Sequence, residues 1–287
     1  MKNIIKALFV LLTVFFMNII AYFAAFALTV LTGSVNVEDA QTATVNQGFF
    51  NIIRYTLILF LLGWWYLRRF DILSDIKERS IEAVHFLIKP VNLFLFLLLG
   101  ISIQIGTDAV LYLLRGIMRN IFTDYDSIIN SFSKSTSILF IITAVTLGPI
   151  VEELVFRGLI MNYLLLMRGI DPKEIRFNEK ITNPIFTAVF LQAVFFGVYH
   201  GNIIQGVYAF IFGILLGLIK IKSGSLIPST FLHMIINMSL FFIPTGLFEK
   251  TITSLVLSVI FLTLIVVSFI LIIKAYGRYA VKASAAK

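Results

Sequence analysis

The sequence predicts an all-α, polytopic membrane protein with about eight transmembrane helices. Of its 287 residues, 59% are hydrophobic and only 13% are charged, and the mean hydropathy is +0.98. Soluble globular proteins carry about a quarter charged residues and under half apolar residues. Eight apolar segments approach the roughly 20 residues that a helix needs to cross a bilayer. Residues 1–287 are therefore predicted to form a single integral-membrane domain.

The predicted spans are spread along the whole chain. The first resembles a signal peptide because Lys2 and Lys6 precede it, but it exceeds the roughly 7–15 residues of a signal-peptide apolar region and predicts an uncleaved helix. Gly148-Pro149 predicts a kink in the fourth span. A polar loop is predicted over Ser34–Gly48, and a surface helix or a plain connector over Asp71–Lys89. The spans are Ala7–Leu31, Asn51–Leu67, Val91–Leu114, Ser137–Met167, Asn183–His200, Ile203–Ile221, Ser225–Thr245 and Thr251–Ile273.

The distribution of basic residues predicts the orientation in a cell membrane. Of the 23 lysines and arginines, Arg54 and Arg157 lie well within spans and 4 lie in the segments on one side. The remaining 17, which include Lys220 one residue before the end of the sixth span, lie on the side that holds both termini. Cytoplasmic loops carry the excess of lysine and arginine, so both termini are predicted to be cytoplasmic. The net charge of +8 thus reflects topology, with lipids and not nucleic acid as partners. The chain contains no cysteine, which excludes disulfides, thiolate metal ligands and a cysteine nucleophile.

The fourth span carries the most informative charges, Glu152, Glu153 and Arg157. A charge at the centre of a spanning helix costs roughly 2.5–3.5 kcal/mol on insertion scales, so charges there usually have a function. Glu153 and Arg157 are four residues apart and are expected to form an ion pair on one helical face. A structural role, in which the buried pair holds helices together, is enough to explain Glu153 and Arg157. Glu152 points about 100° away around the helix and is left free for chemistry.

Three further polar side chains lie in neighbouring spans: His200 at the end of the fifth, and His233 and Asn237 four residues apart in the seventh. A lone histidine at a span end is usually interfacial, but together with the carboxylates these residues predict one site in a motif-bearing core, about residues 137–245. Counted at about 1.5 Å per residue from the cytoplasmic side, Glu152 and His200 lie at about 24 Å and His233 at about 16 Å. Helix tilt or a raised loop near Gly224 would have to absorb this difference.

These groups are suited to hydrolysis by an activated water. A carboxylate in an apolar site can act as a general base, and an imidazole with a carboxamide can donate hydrogen bonds to an oxyanion. Glu152, His200 and His233 could equally ligate zinc, because two histidines and a carboxylate leave one position for water. The residues alone leave open whether the cofactor is zinc or none.

Three motifs in this order, Glu152-Glu153-x-x-x-Arg157, Phe196-x-x-x-His200 and His233-x-x-x-Asn237, resemble those of the CPBP family, also called the Abi family. These are CAAX prenyl endopeptidases and bacteriocin-processing enzymes. The resemblance implies an intramembrane endopeptidase with a cavity enclosed by its helices and a prenylated or leader-type peptide as substrate. It implies Glu152 as the base with His200 as its partner, His233 and Asn237 at the oxyanion or metal, and Glu153 with Arg157 as support.

Two other classes of protein could carry these residues. A non-catalytic peptide-binding or bacteriocin-immunity protein would keep the fold, and its function would survive Glu152→Gln. A proton-coupled transporter would relay protons through Glu152 and His200, but the paired internal repeats typical of transporters are absent from the sequence. The sequence therefore favours the endopeptidase.

Overall fold

A computed structural model describes residues 2–31, 40–70, 73–123, 125–126, 138–248 and 250–285. Within these ranges the protein is almost entirely helical and contains no strand, which confirms the predicted all-α membrane fold. The main helices are α1 (Lys2–Leu31), α2 (Ala40–Phe70), α3 (Leu73–Leu87), α4 (Pro90–Ile117), α5 (Ile138–Met167), α6 (Asn183–Tyr199), α7 (Ile203–Ser223), α8 (Ile227–Ser239) and α9 (Thr251–Ala285).

Among the described helices, six are long and apolar enough to cross a membrane: α1, α2, α4, α5, α7 and α9. The other two predicted spans form helices of 17 residues (α6) and 13 residues (α8). Helix α8 is shorter than the predicted Ser225–Thr245 because turns follow Ser239 and lead to Pro244. The predicted eight apolar segments thus form six full-length spans and two short helices.

Two connections differ from the sequence-based expectation. Helix α2 already begins at Ala40, inside the loop predicted over Ser34–Gly48, while residues 32–39 lie outside the described part of the chain. The segment predicted as a surface helix or connector is helical and forms α3. Its Phe86 is fully buried and stacks on Tyr276 of α9 at 4.0 Å between ring centroids, so this end of α3 is docked against the protein.

Helix α5 runs through the centre of the protein and alternates between α-helical and π-helical turns. The π-helical segments are Thr143–Leu147 and Leu154–Ile160, and the helix continues through the predicted kink at Gly148-Pro149. The wider turn directly before Pro149 accommodates a residue that has no N–H to donate. Every residue from 153 to 165 is buried, because α1, α2, α6 and α8 all pack against α5.

Close packing of α6 against α7 fixes the position of the α6 C-terminus. A Cβ added to Gly197 would approach the Gly206 carbonyl oxygen to 2.7 Å, and one added to Gly213 would approach the Ala193 Cβ to 2.9 Å. Only glycine allows the two backbones to come this near. The histidine at the end of α6 is therefore held beside the first turn of α7, while α4 packs against α8 and α9 on the other side.

Candidate active site

The predicted ion pair of the fourth span is present and completely buried. Arg157 Nη1 lies 2.9 Å from Glu153 Oε1, and the two side chains are 0% and 1% exposed. The guanidinium also lies over the ring of Phe196, with Cζ 4.3 Å from the centroid, so it has a cation–π contact as well. A buried charge requires such partners. The pair neutralises Glu153 and locks the middle of α5 against α6.

His233 lies between the two glutamates and links them. Its Nδ1 is 3.1 Å from Glu153 Oε1, and its Nε2 is 3.6 Å from Glu152 Oε2. Because an ionised carboxylate only accepts hydrogen bonds, Nδ1 carries a proton and donates it to Glu153. Arg157, Glu153, His233 and Glu152 thus form one chain of charged and polar contacts. With His233 as an imidazolium, two carboxylates and two cations would balance.

The contact between His233 and Glu152 removes the depth difference calculated from the sequence. The connection between α7 and α8 is tight: Gly224 adopts φ +65° and the side chain of Ser223 bonds to the backbone of Ser225. Ser223 and Ser225 are both buried, so the connection is packed against the protein. The structure thus brings His233 into contact with Glu152 despite the difference in depth counted along the sequence.

His200 caps the end of α6 and has a defined tautomer when neutral. Its Nδ1 lies 2.8 Å from the carbonyl oxygen of Phe196, which can only accept, so Nδ1 donates and Nε2 keeps a free lone pair. The Phe196 ring contacts His200 at 4.8 Å and His233 at 5.8 Å, edge to face in both cases. One aromatic ring therefore separates and orients both imidazoles. The sequence identified Phe196 only as a motif position and not as this spacer.

Asn237 lies one turn after His233 on α8 and lines the same cavity. Its Nδ2 donates a hydrogen bond of 3.0 Å to the carbonyl oxygen of Ala144, within the first π-helical segment of α5. The wider π turn leaves a carbonyl accessible to a side chain of a neighbouring helix. One amide hydrogen thus holds α8 against α5, and the second amide hydrogen is available to a ligand.

The side chains of Glu152, His200, His233 and Asn237 line a single cavity of about 510 Å³. Glu152 is the accessible member of the glutamate pair, with its side chain 16% exposed against 1% for Glu153. The cavity is also lined by polar residues that were not predicted as members of the site, chiefly Arg54, Tyr55, Asp108 and Tyr199. Charged residues are rare inside membrane spans, so Arg54 and Asp108 could have been identified as candidate site residues from the sequence.

The zinc alternative stays a prediction for the described residues. No group of three His, Cys, Asp or Glu side chains there has the spacing to hold a metal ion. His233 gives Nδ1 to Glu153 and faces Glu152 with Nε2 at 3.6 Å, and His200 gives Nδ1 to a backbone carbonyl. Hydrogen bonds of this kind from Nδ1 are also typical of metal-bound histidines and leave Nε2 of each ring available, so they are compatible with either alternative.

Comparison with known families assigns the segment that carries the site. Residues 134–239 match the family model described as "Rce1-like: Type II CAAX prenyl endopeptidase Rce1-like". Comparison with curated proteins and with solved structures gives no match. The matched segment contains the three motifs, so the predicted resemblance to the CAAX endopeptidase family is confirmed over these residues. This match supports a membrane-embedded protease of the CAAX type in general.

Proposed function

With this family match as the starting point, we propose that the chain is an intramembrane endopeptidase that hydrolyses a peptide bond of a membrane-associated peptide. The proposal rests on the different surroundings of two adjacent carboxylates. Glu153 is buried and neutralised by Arg157, whereas Glu152 faces the cavity beside an imidazole. A chain that needed only a structural ion pair would have no use for the second carboxylate.

Glu152 is the general base of the proposed reaction. It accepts a proton from a water molecule that attacks the carbonyl carbon of the substrate, and later delivers this proton to the leaving amine. The free lone pair of His200 Nε2 provides a second acceptor that orients the same water. A positioned general base contributes about 10²–10⁴-fold to such reactions. The carbon–oxygen bond forms first and gives a tetrahedral oxyanion, and the carbon–nitrogen bond then breaks as the amine takes the proton from Glu152, so water is the only other reactant.

His233 and Asn237 supply the donors for the developing oxyanion. As an imidazolium, His233 can donate from Nε2, and Asn237 can donate the amide hydrogen that Ala144 does not use. Donors that are fixed before the reaction stabilise the transition state without reorganisation. Glu153 and Arg157 act through His233 and are positioning residues, because neither side chain reaches the cavity.

The substrate is proposed to be a peptide tethered to the membrane by a prenyl group or by an apolar segment. The cavity lies among helices that present large apolar side chains to lipid, so a tethered peptide would reach it within the membrane plane. This covers both CAAX-type peptides and leader-type peptides such as bacteriocin precursors. A non-catalytic immunity protein of the same fold would bind such a peptide and leave it intact.

The proposal is tested with a quenched fluorescent lipidated peptide and purified protein in lipid vesicles. Wild type should cleave it, and Glu152→Gln should lower the rate at least about 100-fold because it removes the base. Glu174→Gln is the matched control, since Glu174 is exposed in the connection between α5 and α6. Equal cleavage by wild type and Glu152→Gln would refute the catalytic assignment. Binding without cleavage by wild type would identify a non-catalytic protein.

A further inference from the structure

The residues that line the cavity all lie toward the same end of the helix bundle. In α4, α6 and α8, which begin at the end that holds the lysine- and arginine-rich segments, the lining residues lie at the middle or in the second half. In α2, α5 and α7, which finish at that end, they lie in the first half or near the middle. Examples from the six helices are Asp108, Tyr199, Asn237, Arg54, Thr143 and Gln205.

The opposite end of the bundle is closed by packed side chains. Tyr163 of α5 is 1% exposed, receives a hydrogen bond from the Trp65 indole at 3.1 Å and packs against the Phe70 ring. Beside it Lys220 is 5% exposed and donates to Asn162 Oδ1 at 2.9 Å. This half of α5 is buried without a break, so the packed core separates the cavity from this end of the protein.

The closed end also forms one connected basic surface. The Arg79 guanidinium donates to the carbonyl oxygens of Pro172 and Ile175, which ties the segment after α2 to the segment after α5. Lys222 donates to Asn178 Oδ1 at 3.3 Å and joins the end of α7 to the same segment. The basic segments counted separately in the sequence are therefore neighbours at one face of the membrane.

The open end carries the described residues that follow α4, among which the aromatic rings of Phe122 and Tyr125 are buried. Tyr125 of this segment lines the cavity, and burial raises its pKa to about 12, so its hydroxyl remains a neutral donor. Arg115 pairs with Asp126 nearby. Glu152 lies 15 residues before Met167 at the basic end, which corresponds to about 22 Å of a hydrocarbon core about 30 Å thick. The reacting carboxylate is therefore nearer to the open face.

The geometry points to a cavity that opens on the extracytoplasmic face, so that the enzyme cleaves peptide segments displayed on the outer side of the membrane. The basic end must be cytoplasmic by the excess of 17 over 4 lysines and arginines in the connecting segments. That the protein cleaves the peptide rests on the proposed function, whereas the direction in which the cavity opens does not. Among the two proposed substrate classes, it selects translocated, leader-type peptides over prenylated peptides presented in the cytoplasm.

The chain offers a clean test because it has no cysteine of its own. Gln205 lines the cavity but has no role in the proposed reaction, so Gln205→Cys places a thiol on the cavity wall. Lys180→Cys places a thiol on the exposed surface of the basic end. Intact cells expressing each full-length variant are treated with a membrane-impermeant charged maleimide. We expect Gln205→Cys to be labelled in intact cells, and Lys180→Cys to be labelled only after the membrane is permeabilised.

The opposite pattern would overturn the inference, and so would a Gln205→Cys variant that reacts only after permeabilisation or not at all. Labelling needs no catalysis, so it separates the direction of opening from the proposed hydrolysis. A second measurement adds an impermeant quenched peptide to intact cells. Cleavage in the medium by wild type, with loss in Glu152→Gln, supports outer access, whereas cleavage only after permeabilisation contradicts it even if the hydrolase assignment is correct.

Discussion

The buried Arg157–Glu153 pair allows the sharpest prediction about stability. Replacing Arg157 by methionine keeps much of the side-chain volume but removes the guanidinium that lies 2.9 Å from Glu153 and 4.3 Å above the Phe196 ring. Of the two donors described above, the buried Glu153 carboxylate then keeps only His233. Breaking a buried ion pair by removing one partner costs about 3–5 kcal/mol, so Arg157→Met should lower the free energy of unfolding by about that amount.

A double-mutant cycle identifies the cause of the loss. Glu153→Gln alone leaves the guanidinium without its acid, whereas the double variant Glu153→Gln/Arg157→Met leaves no uncompensated charge. We expect the double variant to be less destabilised than the sum of the single variants, with a coupling of about 2 kcal/mol, inside the range measured for residues in contact. Denaturant unfolding in mixed micelles measures all four proteins.

Additive single effects, or a loss below about 1 kcal/mol for Arg157→Met, would refute the pairing described here. The cycle also separates positioning from chemistry. Because both side chains act through His233, the double variant should fold and yet hydrolyse peptide more slowly than wild type, with the loss in kcat and little change in KM. A purely structural pair would leave kcat unchanged once stability is restored.

Three further predictions concern packing, a buried polar contact and the metal alternative. Gly100→Ala should lower the free energy of unfolding by about 1–3 kcal/mol, since its Cβ would lie 2.5 Å from Cγ2 of Ile235 on α8; an unchanged denaturation midpoint would contradict this. Asn162→Ala should cost about 1–3 kcal/mol because buried Lys220 loses its acceptor; Asn162→Asp should restore most of this, and equal stability of all three proteins would exclude the role. Because the proposed base is Glu152, peptide cleavage should be unchanged after a chelator has removed any metal, as verified by metal analysis. A loss of cleavage that added zinc restores would support the zinc alternative.

The sequence predicted the ion pair and the cluster of site residues because those features are local or chemically rare. Glu153 and Arg157 share a helical face at a spacing of four residues, and this holds even though the helix becomes π-helical there. Intramembrane carboxylates and histidines are few enough that their meeting could be expected. The geometry of the meeting was less predictable, since counting residues from the span ends placed His233 about 8 Å from the level of Glu152, whereas the structure brings the two side chains into contact.

Other parts of the site depend on tertiary packing that has no pattern along the chain. The π-helical turn that exposes the Ala144 carbonyl to Asn237 has no sequence periodicity of its own. Phe196 is one of 29 phenylalanines, so its position between two imidazoles could not be told from that of a lipid-facing ring. The length of α8 was overestimated because hydropathy measures apolar character and not the position of helix ends.

The role of Glu152 is tested most directly by isotope incorporation during cleavage. Purified wild type and Glu152→Gln are incubated with a lipidated peptide in ¹⁸O-enriched water, and the products are analysed by mass spectrometry. We expect one ¹⁸O atom in the new C-terminal carboxylate for wild type and no product above background for Glu152→Gln. Product that carries the same label at the same rate in both proteins would show that another group activates the water.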